Sequence, residues 1–276
     1  MPRRTMITAH RSVLGIDAAW STNHRSGVAL AVEDETGWRL VAADSCYADF
    51  LARPSGPSIN RPAAGNLTPA PARLISICMH LCGVAPAVVA VDMPLSREKI
   101  NGRRVSDTNV SRAFGAKQCA THSPNAERPD SVSDKLRADF EAAGYHLWTI
   151  ERGPLPGLIE VYPHPALLAF FAKEPKRLEY KVAKTLTYWP DATAAERRQK
   201  LFKVWARIVA ALESEIAGVA AAIPLPADNT VGRALKAYED RLDAIVCAWC
   251  AIRALQGRVK AYGNDVSAIW IPSAEG

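Results

Sequence analysis

The stretch Val13-Leu14-Gly15-Ile16-Asp17-Ala18-Ala19-Trp20 is a short apolar run, closed by the polar link Ser21 to Ser26, that leaves one aspartate near its end. A run of that length bounded by turn residues predicts a buried strand, with Asp17 at the rim of a sheet. Desolvating a carboxylate costs several kcal/mol unless it is paired. Asp17 is therefore expected either to be hydrogen-bonded, capping the turn at Ser21 or Thr22, or to hold a metal ion.

The neighbouring sequence supplies a sheet around this strand. Ser26 to Glu33 and Trp38 to Asp44, joined by the tight turn Asp34-Glu-Thr-Gly37, complete an antiparallel three-stranded meander. The Pro, Gly, Ser and Asn-rich stretch from Arg53 to Pro71 predicts an irregular loop. Leu74, Ile75, Ile77, Cys78 and Leu81 then recur at helical spacing over 72–82, giving a crossover helix into the strand Ala87 to Asp92, which Pro94 stops. A right-handed crossover lays this strand parallel to the first, so Asp17 and Asp92 share one carboxyl end.

Further along, 96–130 reads as an irregular basic insertion carrying Arg97, Lys99, Arg103, Arg104, Arg112, Lys117 and Arg128. A helix from Ser131 or Ser133 to Gly144, strands at 145–150 and 158–162, and a short helix at 166–172 follow. The segment 166–223 is mostly helical, rich in Lys and Arg from 173 to 207, and reaches Ala222 before Pro224 and Pro226 break it. Val231 to Leu255 forms the last long helix, and 260–271 a terminal hairpin about Gly263-Asn-Asp265. Residues 1–276 read as a single α/β domain, a mixed sheet flanked by helices.

Composition narrows the classes. The chain is 49% hydrophobic and 22% charged, an ordinary globular balance, and its net charge of +6 permits a polyanionic partner. No stretch reaches the roughly 18 apolar residues of a spanning helix, and Met1 to His10 lacks the apolar core of a signal peptide, so no membrane partner and a cytoplasmic location are expected. Cysteines 46, 78, 82, 119, 247 and 250 follow no disulfide spacing, and Cys247-Ala-Trp-Cys250 lies in an Ala-rich helical pattern that favours core packing over a zinc half-site. Oligomeric state is left open.

Asp240 and Asp243 are three apart, on one face of the last helix, which can close over the strand ends. Four converging carboxylates repel one another unless divalent cations neutralise them. Mg²⁺ or Mn²⁺ is the expected cofactor, two ions about 4 Å apart, with Asp17 bridging, Asp92 holding one and Asp240 with Asp243 the other. The plainer alternative for Asp240 is a surface pair with Arg241 or Lys236.

Gly15-Ile-Asp17, Val-Ala-Val-Asp92 and Glu239-Asp240-Arg-Leu-Asp243 resemble, in order and setting, the ribonuclease H-like superfamily, in motif style the Holliday-junction resolvases. Val91-Asp-Met-Pro-Leu-Ser96, Glu160-Val-Tyr-Pro-His-Pro165, Tyr180-Lys181 and the Asp243-Ala segment look like domain of unknown function family 429, described as nucleases by prediction. The resemblance implies a five-stranded ribonuclease H-like sheet and catalytic roles for Asp17, Asp92, Asp240 and Asp243. The resolvase-type site often has glutamate where this chain has the shorter Asp92, which shifts the metal or inserts a water.

Glu160 is a candidate orienting acid, His164 a candidate general base, and Arg104, Arg112 and Lys181 candidate phosphate contacts. The leading expectation is a metal-dependent nuclease that hydrolyses phosphodiester bonds of DNA or RNA. An actin-like or sugar-kinase-type phosphotransferase shares the Gly-Ile-Asp opening, but no Asp-x-Gly-Gly phosphate loop precedes the last helix. A non-catalytic module binding nucleic acid or protein is the third possibility.

Overall fold

Alternation along a strand sends successive side chains to opposite faces. In the computed structural model, which describes residues 10–20, 25–53, 71–125, 129 and 131–274, Val13 enters one core while Leu14 and Ile16 enter the other. All three are fully buried, contributing ~1.5–3 kcal/mol apiece. Strand β1 (Arg11–Asp17) is thus covered on both faces, which explains its unbroken apolar run.

The meander forms as expected. β1 pairs antiparallel with β2 (Gly27–Asp34), and β2 with β3 (Gly37–Asp44). The Asp34 carboxylate closes the turn between them by accepting from the Thr36 amide at 2.8 Å. After α1 (Tyr47–Ala52), the predicted loop at 53–71 falls almost wholly outside the described residues, as do Ser21 and Thr22. Helix α2 (Pro71–Cys82) leads into β4 (Pro86–Val91), parallel to β1 with Ile16 opposite Val91.

Next come α3 (Val105–Phe114), α4 (Ser131–Ala142), β5 (His146–Leu147) and β6 (Gly157–Val161). They are followed by α5 (Pro163–Leu167), α6 (Thr185–Tyr188), α7 (Ala194–Glu213), α8 (Val219–Ala222) and α9 (Arg233–Leu255). A hairpin of β7 (Val259–Gly263) and β8 (Ala268–Pro272) completes the described chain. The sheet runs β3-β2-β1-β4-β6-β8-β7, with β5 also on β6. It has eight strands rather than five, because the terminal hairpin joins β6 through β8 while the two-residue β5 takes the other end of the same edge.

Three further boundaries differ from expectation. The basic insertion is not irregular throughout but contains α3, whose inward residues include Ser106 and Asp107 and so hide the apolar periodicity. The short helix after β6 begins earlier, at Pro163, where a missing N–H is tolerated. Helix α7 stops at Glu213 instead of Ala222. Its carboxylate accepts from the Gly218 amide at 2.9 Å and the Ala220 amide at 2.7 Å, and Gly218 sits at φ +87°.

Helix α9 crosses one face of the sheet and Phe50, Leu74 and Phe140 cover the other. A Cβ on Gly15 would stand 2.2 Å from the Ala244 carbonyl oxygen and 2.2 Å from the Ala248 nitrogen, so only glycine lets α9 lie on β1. Cys247 and Cys250 are packed inside this contact, and all six cysteines are free thiols. No helix among the described residues is long and apolar enough to cross a membrane.

Candidate active site at the strand ends

Three adjacent parallel strands end together. Asp17 closes β1, and Asp92 follows β4, its amide donating to the Ile16 carbonyl at 2.9 Å. Glu160 stands on β6 opposite Val91. The close seating of α9 on Gly15 brings Asp243, the residue before Ala244, over the same end.

Asp17 and Asp92 are half-buried, and among the described residues neither carboxylate accepts a hydrogen bond. Burial, then the Asp243 charge, holds Asp17 well above the usual carboxylate range against the pull of Lys181. Burial likewise pushes Asp92 up to about 7, with Lys181 opposing and Asp243 adding to the rise.

The acids on α9 have a different environment. Asp243 is fully buried and accepts from the Tyr180 hydroxyl at 2.7 Å and from the Lys181 ammonium. Burial works against the Lys181 charge, but Asp243, Tyr180, Glu239 and Asp17 outweigh it and keep the ammonium protonated well past its ordinary range. Glu239 accepts from the Val182 amide at 2.5 Å and pairs with Lys236 at 2.7 Å. Asp240 pairs with the same Lys236 ammonium at 2.6 Å, and burial pushes its carboxyl up to about 6. The Tyr180-Lys181 segment is pinned from behind by the buried Trp205 of α7, whose indole N–H donates to the Tyr180 carbonyl at 2.9 Å.

Glu160 belongs to a second ion cluster. Arg104 meets it with both terminal nitrogens, at 2.6 and 2.7 Å, and meets Asp107 at 2.8 and 3.0 Å. The Leu95 amide also donates to Glu160 at 2.7 Å. Burial lifts the Glu160 carboxyl to about 7 against the pull of Arg104. His164 is 7% exposed, its ring set edge-on to Tyr162 and Tyr180, and its Nδ1 has no partner. Burial, then the nearby cations, keeps this imidazole neutral.

A cavity of about 330 Å³ is lined by Asp92, Glu160, His164, Lys181 and Glu239 among others, with Asp17 and Asp243 outside its lining. The expected site residues thus divide. Asp17, Asp92 and Asp243 share one field, with Lys181 at its centre. Asp240 reaches Lys236, one of the two partners named in its plainer reading, but as a buried carboxylate rather than at the surface, and it does not line the cavity. Arg104 lines the cavity but spends its guanidinium on Glu160, Asp107 and the Leu95 carbonyl, so it is a structural clamp rather than a phosphate contact. Arg112 is exposed on α3, away from the cavity.

Two partners were missed as site residues. Lys236 stands at i−3 and i−4 from Glu239 and Asp240, a visible helical spacing, whereas the Tyr180 hydroxyl on Asp243 spans 63 residues and left no local signal.

The four-carboxylate cage is not assembled. Among the described residues no three His, Cys, Asp or Glu side chains are grouped to hold a metal ion, and lysines pair with Asp240 and Asp243. Asp17 and Asp92 remain, an oxygen-only pair. Mg²⁺ and similar hard ions are commonly held by one or two carboxylates with waters and substrate oxygens completing the shell, so the donor chemistry of this pair suits one such ion.

Fold and site define a mixed α/β protein whose strand-end acids adjoin a cavity of interleaved carboxylates and cations. Residues 15–267 match the family described as protein of unknown function, DUF429, and the chain belongs to that family, as its motifs implied. No curated protein and no solved structure matches the chain.

Proposed function

We propose that the protein is a nuclease of ribonuclease H-like descent that hydrolyses phosphodiester bonds of DNA or RNA with one Mg²⁺ or Mn²⁺ at Asp17 and Asp92. One observation carries this reading. Asp107, Glu160, Glu239, Asp240 and Asp243 each have a lysine or arginine partner, while Asp17 and Asp92 have none among the described residues. Carboxyl groups without an ion-pair partner at the carboxyl end of parallel strands are where a cation and a ligand are taken up in sheets of this class. The antiparallel meander followed by parallel β4 supports the ribonuclease H-like part.

A hard divalent cation supplies charge for a phosphoryl oxygen and makes water a better nucleophile at neutral pH. The chain's own part is electrostatic. Lys181, kept charged by Asp243 and steered by Tyr180, presents a fixed ammonium at the cavity wall for charge that develops on the phosphoryl group. Glu239 holds the main chain at Val182 and so fixes the segment that carries Lys181.

The test is cleavage of labelled single-stranded, double-stranded, branched and hybrid nucleic acids with Mg²⁺ or Mn²⁺. Cutting is expected to require metal and to fall about hundredfold or more in Asp92→Asn, the scale of removing one preorganised charged group. Wild-type protein that cuts nothing with either metal, or cuts equally in chelator, overturns the reading.

A further inference from the structure

The cavity wall also carries nitrogen groups that the acid site leaves unused. Lys184 is half-buried on its wall and makes no ion pair among the described residues. His122 lines the same wall, and so does the nine-tenths-buried His164, whose Nδ1 is enclosed without a partner. Arg177 does not line the cavity, but its charge reaches both Lys184 and His164, and its buried Nε also has no partner. Every cation on the acid side, Lys181, Lys236 and Arg104, has its carboxylate. Lys184 and Arg177 have none among the described residues, and their charges oppose one another. Lys184 is pushed down by burial and by Arg177 and Lys181, and the one nearby acid, Glu239, is already engaged by Lys236 and the Val182 amide.

Positive groups gathered in a concave, partly desolvated wall repel one another unless an anion compensates them. We infer that Lys184, with His122 and His164 beside it on the cavity wall and Arg177 behind, forms a subsite for a phosphate monoester. On the nuclease reading, on which this rests, it is the terminal phosphate of the strand being cut. A monoester carries about −1.5 to −2 charges at pH 7 and three acceptor oxygens, which matches several donors better than a singly charged diester does. A neutral imidazole still donates from whichever nitrogen carries its proton, so His164 can add a donor beside the lysine. At about 330 Å³ the cavity suits one nucleotide-sized unit, which makes a strand end the substrate feature recognised.

The experiment is calorimetric titration of the full chain with inorganic phosphate in chelator, where neither metal nor cleavage is needed. Wild-type protein is expected to bind phosphate, Lys184→Gln to bind about tenfold more weakly or worse, and Arg112→Gln, outside the cavity, to match wild type. Displacement of phosphate then compares a 5′- or 3′-phosphorylated oligonucleotide, the same oligonucleotide with hydroxyl ends, and a mononucleotide. Displacement by either phosphorylated ligand supports the subsite and names its source. No phosphate binding, equal loss in both variants, or equal displacement by hydroxyl-ended strands overturns it. Phosphate binding in a protein that cuts nothing keeps the subsite and refutes only the nuclease.

Discussion

Arg104 shows how far a single side chain can depart from its local sequence. It sits in a run of basic residues that reads as a surface for phosphates, yet its guanidinium is buried between Glu160 and Asp107. The Asp107 contact is three residues away and was legible; Glu160 is 56 residues away and was not. Arg104→Gln strands two buried acids, and urea denaturation should report a loss of about 3–5 kcal/mol. Arg104→Lys should rescue little, since a single ammonium cannot replace the two-pronged contact.

Asp92 gives a pH signature at the same scale. Folded, it holds its proton up to about pH 7; unfolded, it releases it near the ordinary aspartate value of 3.8. The folded chain binds the extra proton between those values, so this group's contribution to stability is greatest below that window, falls as pH rises through it, and is flat above. Asp240 and Glu160 act in the same direction and His164 in the opposite one, so the difference between variants is the clean readout. In chelator, Asp92→Asn should melt higher than wild type at pH 8 and at the same temperature near pH 4. An equal gap at both pH values would contradict the assignment.

Among elements, β1, β4 and α9 were readable because burial on one or both faces writes itself into apolar spacing. Helix α3 was not, since its inward face carries Ser106 and Asp107, and the early stop of α7 depends on a glutamate reaching forward to Gly218. The α9–β1 contact sets the site, and its weakest tolerance is Gly15. A methyl there meets helix backbone at 2.2 Å, which a side-chain rotation cannot relieve. Gly15→Ala should cost about 3 kcal/mol by denaturant melting, the upper end of overpacking penalties, and weaken metal binding with it. A fully stable variant would mean that α9 can lift from the sheet without consequence.

For the whole molecule, a net charge of +6 conceals two opposite environments in one cavity. Acid positions at strand ends were legible because each ends an apolar run, and the Lys236 pairing of Asp240 was legible in helical spacing; the capture of Asp243 was not, since Lys181 arrives through the fold from 62 residues away. If Asp17 and Asp92 take up a cation, saturating Mn²⁺ should raise the melting temperature by about 5 °C or more, through preferential binding to the folded chain. Mn²⁺ binding followed by electron paramagnetic resonance examines the pair itself. Wild-type protein should bind one ion, Asp240→Asn should retain it, and the Asp17→Asn, Asp92→Asn double variant should lose it. Undiminished binding in the double variant, or none in wild type, would contradict a strand-end metal site.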